Sequence, residues 1–173
     1  MLFKKFVSLV ETHAEDLTKK WINEVRNNPS TPNYHNMNEK LLVNRISDLF
    51  FRLGKWLSKD DFTDKETVEH FISLGRERAL EGLEVSEVIY ALILTKAVLW
   101  KYVVSQGIIN TIIDMHQALE FHNKISNFFD KAIYYIAVGF ESPLKKSDAE
   151  KHKETFVNGA VDAITRWLID GKK

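Results

Sequence analysis

Apolar side chains along this chain recur every three or four residues, the spacing of one face of an α-helix. Phe3, Val7, Val10, Ala14, Leu17, Trp21 and Val25 form one such stripe, which the pattern reads as a single first helix. It stops at Asn27-Asn28-Pro29-Ser30-Thr31-Pro32, the clearest loop in the chain. Leu42, Ile46, Leu49, Leu53, Trp56 and Leu57 mark a second helix. Thr63 and Glu66 form a capping-box start signal for a third, whose apolar face is Val68, Phe71 and Ile72.

Beyond Gly82 the pattern changes. A helix predicted over Val85–Ser105 is apolar almost all round, as expected of the buried centre of a helical domain. The next is predicted over Ile108–Glu141. It places Ile112, Met115, Leu119, His122, Ser126, Phe129 and Ile133 at alternating four and three steps. This heptad-like seam suits packing against another long helix, in the same chain or in a second copy. Ser142-Pro143 reads as a fresh N-cap with proline at the first helical position. A charged turn then leads into the broad apolar face of Phe156, Val157, Ala160, Val161, Ile164, Trp167 and Leu168. No strand pattern survives, so the fold class is all-α: about six helices with a C-terminal helical extension.

Composition narrows the function. Of 173 residues, 24 are Lys or Arg and 24 are Asp or Glu, so the net charge is zero and no field for a nucleic-acid backbone exists. The absence of cysteine excludes disulfides, thiolate metal sites and cysteine nucleophiles. Lys4, Lys5 and Glu11 interrupt the opening segment too early for a signal peptide. With no apolar run of about 18 residues either, the expectation is no membrane and a cytoplasmic location.

The search for chemistry is mostly negative. A di-iron bundle needs a glutamate three residues before a histidine. The residues three before His13, His35, His70, His116, His122 and His152 are Val10, Pro32, Thr67, Ile113, Leu119 and Ala149. No glycine pair has the spacing of a phosphate loop or nucleophile elbow. Glu66 and His70 stand one turn apart, but two ligands do not make a metal site, and a solvated helical pair is the plainer reading. The expectation is no enzyme, no catalytic residue, no metal and no cofactor.

Two residues stand out. His122 sits on the apolar seam, as a pocket ligand, a phosphorylatable histidine or, more plainly, a hydrogen-bonded core or interface residue. Asn123 follows it, where histidine kinases have an acidic residue. Lys96 shares a face with Val85, Ile89, Leu92, Leu99 and Val103, so it must reach solvent or meet a carboxylate or ligand anion.

The stretch Leu74-Gly75-Arg76-Glu77-Arg78-Ala79-Leu80-Glu81-Gly82, followed by Glu84, Glu87 and an aliphatic run to Lys96, resembles the N-terminal sensor domain of the RsbR and RsbRD proteins of the bacterial stressosome. The resemblance spans roughly residues 1–141, with residues 142–173 left as a linker, docking or dimerisation helix. It implies a globin-like fold without haem, a homodimer, and a signal relayed through the C-terminal helix to a STAS-type or switch-kinase-like partner. Haem-binding globin sensors are similar at the same turn but carry their iron-ligating histidine where this chain has Arg78, which stays protonated and cannot ligate iron. Arg78, Lys96, Trp100 and His122 are therefore the candidate ligand pocket or ion pair. Ile112, Leu119, Phe129 and Ile133 are the candidate dimer seam. The chain ends at Lys173 without a STAS domain, as a stand-alone sensor or a piece of a longer protein. The rival readings are a haem- or small-molecule-binding globin using His70, His116 or His122, and a phosphotransfer module acting through His122.

Overall fold

The structure, a computed structural model, describes the backbone of residues 2–58 and 65–170 and the side chains of residues 4–57 and 65–142. Among the described residues there are seven helices and no strand. They are α1 (Leu2–Thr12), α2 (Ala14–Asn27), α3 (Pro32–His35), α4 (Glu39–Ser58), α5 (Lys65–Leu80), α6 (Val85–Ser105) and α7 (Ile112–Asp170). The class read from periodicity holds.

The first apolar stripe is two helices, not one. At His13 the backbone leaves the α region (φ −110°, ψ 25°). The Leu9 carbonyl there accepts both the His13 backbone N–H at 3.1 Å and its ring Nδ1–H at 2.9 Å. A side chain competing for a ladder carbonyl loosens the helix locally. From Val10 on the stripe stays on one side regardless: Val10, Ala14, Leu17, Trp21 and Val25 are all buried. Val7 is half-buried, Phe6 rather than Val7 takes the buried position in α1, and the Phe3 side chain lies outside the described residues. The start signal read at Thr63 lies outside the described residues, whereas Glu66 falls in the first turn of α5. The buried face of α5 is Thr67, Phe71, Gly75 and Arg78, rotated from the Val68–Phe71–Ile72 face expected.

Gly82 ends α5 with φ +79°. Gly82 N–H reaches the Ala79 carbonyl and Leu83 N–H the Arg78 carbonyl, each at 3.1 Å, a Schellman pair that turns the chain into α6. α6 has the bounds its pattern predicts and passes behind the others: Trp21 Nε1 on α2 donates to its Ala91 carbonyl at 3.1 Å. It is apolar and long enough to cross a membrane by composition, but half of that window is buried inside the fold. That burial is the expected state of a core helix.

α7 departs from expectation at both ends. It begins at Ile112 rather than Ile108, because Thr111 caps it: Asp114 N–H donates to Thr111 Oγ1 and Thr111 N–H to Asp114 Oδ2, both at 3.0 Å. Hydrogen bonding to its carboxyl, first by the Thr111 side chain and then by the Asn110 and Thr111 backbone N–H groups, holds Asp114 below its ordinary pKa. At the other end the helix runs through Ser142-Pro143 to Asp170 without a break. Ser142 is not a cap there; its hydroxyl donates back to the Val138 carbonyl at 3.1 Å, as a serine inside a helix does. The missing N–H of Pro143 removes one ladder bond without ending the helix.

The most extensive helix pair is α5 with α7. Gly75 and Gly139 lie at their crossing, and a Cβ on either would run into the other helix's backbone carbonyl, Ile136 O for Gly75 and Ile72 O for Gly139. Trp56, Phe71 and Phe128 cluster beside these helices with ring centroids within 5.7 Å of one another, Trp56 stacked on Phe128 and Phe71 edge-on to Phe128.

Candidate functional site

A cavity of about 40 Å³ lies where α2 to α7 converge, beneath the α5–α6 turn. Ile46, Leu49, Val88, Leu92 and Ile136 form its apolar wall. Its polar wall is Tyr34, Arg45, Arg78 and Thr95. Arg45 has a side chain only 7% exposed, and Arg78 one 10% exposed.

Two buried guanidiniums need negative charge nearby. Glu81 supplies it: the Schellman turn holds its carboxylate so that Oε1 accepts Arg78 Nη1 at 2.9 Å and Oε2 accepts Arg45 Nη2. Glu77 lies 3.9 Å from Arg78 Nη1 on the solvent side. The pairing is incomplete, because Arg45 Nε and Nη1 are buried without a hydrogen-bond partner among the described residues. Burial, reinforced by the Arg78 charge, lowers the Arg45 pKa from its ordinary value, with Glu81 opposing. The Tyr34 ring lies 6.0 Å from the Arg45 guanidinium carbon. Burial raises its phenol's pKa, against the pull of the Arg45 and Arg78 charges. A third carboxylate, Glu87, is buried nearby and accepts both the backbone and side-chain N–H of Asn33 at 2.9 Å.

The structure separates Arg78 from the other pocket candidates, since Lys96, Trp100 and His122 do not line this cavity. They sit between α6 and α7. Lys96, 27% exposed in its side chain, extends to Asp130 Oδ1 at 3.3 Å, while its neighbours Thr95 and Leu99 take the buried face. Trp100 and His122 meet edge to face with ring centroids 4.6 Å apart, both half-buried. The seam residues divide as well. Ile112 and Leu119 are 90% and 52% exposed, Ile133 is half-buried, and Phe129 is wholly buried in the core of its own chain.

Periodicity pointed to Lys96 and missed Arg45. A signal was present: Arg45 falls three residues after Leu42 and four before Leu49, on the apolar stripe of α4.

Among the described residues no group of three or more histidine or acidic side chains is placed to hold a metal ion. His70, expected to be solvated beside Glu66, is instead half-buried against Trp56 and Phe71, at ring distances of 5.4 and 5.1 Å. Burial lowers its pKa, partly offset by Asp48. A base with a folded pKa below its unfolded value of about 6.5 binds more protons when unfolded, so acidification through that range destabilises the fold. Stability measured by urea unfolding from pH 7.5 to 5 should therefore fall less steeply in His70→Gln than in the parent protein. Equal slopes would show that His70 contributes nothing to the pH dependence.

A family model described as the RsbT co-antagonist protein rsbRD N-terminal domain matches residues 15–151. The chain belongs to this family. The match contains every residue of the arginine cavity and continues past Glu141 into the second half of α7. No curated protein and no solved structure matches the chain. The turn carrying Arg78, Glu81 and Gly82 is the stretch by which the sequence resembles an RsbRD N-terminal domain, and its Arg78 lines the cavity and pairs with Glu81.

Proposed function

We propose that this RsbRD N-terminal domain is a haem-free, non-enzymatic cytoplasmic sensor that acts as a homodimer and modulates a signalling partner through α7. The observation that carries the dimer is an apolar strip at the start of that helix: Ile112, Ile113, Met115 and Leu119 are 90, 69, 56 and 52% exposed. Four large apolar side chains left open within two turns favour association over solvation. Ile93 and Val104 of α6, 40 and 47% exposed, add apolar area on the neighbouring helix. A second copy satisfies the strip in the way a heptad-spaced helix does, by packing against itself.

The relay follows from continuity. An uninterrupted helix of 59 residues spans about 90 Å, so a rotation or shift imposed near the cavity wall at Ile136 reaches its far end. The family's description as an RsbT co-antagonist supports a switch-kinase-like or STAS-type protein as the partner. Haem has no place in this reading, because Arg78 occupies the position that the resemblance gives to a haem histidine.

Sedimentation equilibrium at tens of micromolar tests the dimer. The parent protein should sediment as a dimer, and Leu119→Glu should weaken association by about 100-fold while leaving helicity unchanged. A monomeric parent protein at those concentrations overturns the dimer.

A further inference from the structure

The apolar strip that opens α7 continues into a histidine. Ile112, Met115, Leu119 and His122 follow one another at steps of three, four and three, so they share one face of the helix. The first three are exposed and His122 is half-buried. Trp100 of α6 walls it on one side, with ring centroids 4.6 Å apart. That ring contact aside, His122 makes no hydrogen bond or ion pair among the described residues. A histidine settled in the core of its own chain would have one.

No carboxylate is placed to hold its cationic form. One turn before and after His122 stand Ala118, Leu119, Ile125 and Ser126. One turn either side of Trp100 stand Lys96, Ala97, Val103 and Val104, and the charge of Lys96 is met by Asp130 at 3.3 Å. Lys101, Glu120 and Lys124, within two residues of the ring pair, are exposed. His116 and Glu120 meet each other at 3.6 Å, both largely open to solvent. α1 contacts α7 on the Phe121 side, through Phe6.

We propose that acidification through the histidine range dissociates the dimer, with His122 as the group that takes up the proton. This rests on the dimer proposed above. A second copy that covers Ile112, Met115 and Leu119 also covers the next residue of that face, so His122 loses water on association. A neutral imidazole tolerates that loss, whereas an imidazolium without a counter-charge does not. Each dimer buries the group twice. Attraction between an imidazolium and the Trp100 ring is present in the separate chain as well, so it does not favour the dimer. The separate chains therefore bind more protons than the dimer, and association strengthens as pH rises and weakens as it falls. The proton becomes an input of the sensor.

Sedimentation equilibrium of the full chain at pH 7.5 and 5.5, at constant ionic strength, tests this. The dimer Kd of the parent protein should rise by about 10–100-fold at the lower pH, roughly tenfold for each buried imidazolium. His122→Gln, which stays polar but does not titrate, should associate at pH 7.5 and lose that rise, and His116→Gln should keep it. Far-UV circular dichroism at both pH values separates dissociation from the acid loss of stability expected through His70. A parent dimer equally tight at both pH values overturns the proposal and leaves the dimer standing. So does a folded His122→Gln that weakens as much as the parent. If His122→Gln does not associate at pH 7.5, the His122 ring C–H signal of the parent protein decides, assigned by its loss in that variant. Its titration midpoint should fall as the chain is concentrated through the dimer range, and a midpoint independent of concentration overturns the proposal. A monomeric parent protein at pH 7.5 overturns the dimer itself, and this inference with it.

Discussion

Replacing Gly139 with alanine is expected to destabilise the protein by about 3 kcal/mol or more, one of the largest effects of any single methyl group in the chain. At this crossing the added Cβ would overlap the Ile72 carbonyl oxygen, and its next nearest neighbours, the Arg76 N and Ile72 C, are also backbone atoms. Side chains can swing aside, but a helix backbone cannot without moving the whole helix, so α5 and α7 must separate. Separation opens the contact on which Phe71, Phe128 and Ile136 depend. Alanine's better helix propensity returns only about 0.5–1 kcal/mol. Gly75→Ala should behave alike, since its Cβ meets the Ile136 carbonyl, and the double variant should cost less than the sum because both force the same separation. Gly54→Ala is the control. There the obstructing atoms belong to the side chains of Val7 and Glu11, which can rotate, so the loss should stay near 1 kcal/mol even though Glu11 Oε1 accepts Gly54 N–H at 3.1 Å. Denaturant unfolding checks all three, and an ordinary midpoint for Gly139→Ala would refute the close crossing.

Glu81→Gln is expected to cost about 2 kcal/mol, although Glu81 is itself 39% exposed. Its carboxylate joins two nearly buried guanidiniums from different helices, Arg45 on α4 and Arg78 on α5. Amide replacement keeps the shape and one acceptor but removes the charge, leaving Arg45 and Arg78 to repel each other across a cavity with little solvent. Without the exposure of Glu81 the loss would approach the 3–5 kcal/mol or so typical of breaking a buried pair. The effect should be non-additive with Arg45→Met, because removing one guanidinium relieves the repulsion that the first change creates. A double-mutant cycle measured by chemical denaturation reads that coupling directly. Coupling near zero would mean that the two arginines are independently solvated.

Much of the secondary structure could be read from spacing alone. Val85–Ser105 was predicted with its observed bounds because a largely apolar stretch between Gly82 and Gly107 leaves few alternatives. The long seam helix was legible too, but its start and its passage through Pro143 were not. The capping pair Thr111 and Asp114 carries a readable signal, yet Ile108 and Ile109 extend the apolar pattern past it because they pack against the core outside the helix. Proline at 143 reads as a boundary since a local rule sees only the lost N–H, and the ladder on either side outweighs that one bond. The site was half visible. Arg78 drew attention through its place in a family-like turn, Lys96 through its apolar face, and only Arg78 lines the cavity.

What the sequence by itself determined is the all-α class, the order of the long helices, the turn at Gly82, and the family to which that turn points. All of these are local: a period of 3.6, a glycine that accepts positive φ, a short motif. The tertiary structure alone decided which faces meet. It brought Arg45 to Arg78 and Glu81, set Gly75 against Gly139, and left Ile112 to Leu119 uncovered while burying Phe129. The physical reason is that an apolar stripe specifies that a face must be buried, but not against what. Arg45 and Glu81 stand 36 residues apart, and only the folded packing of α4 against the end of α5 makes them neighbours.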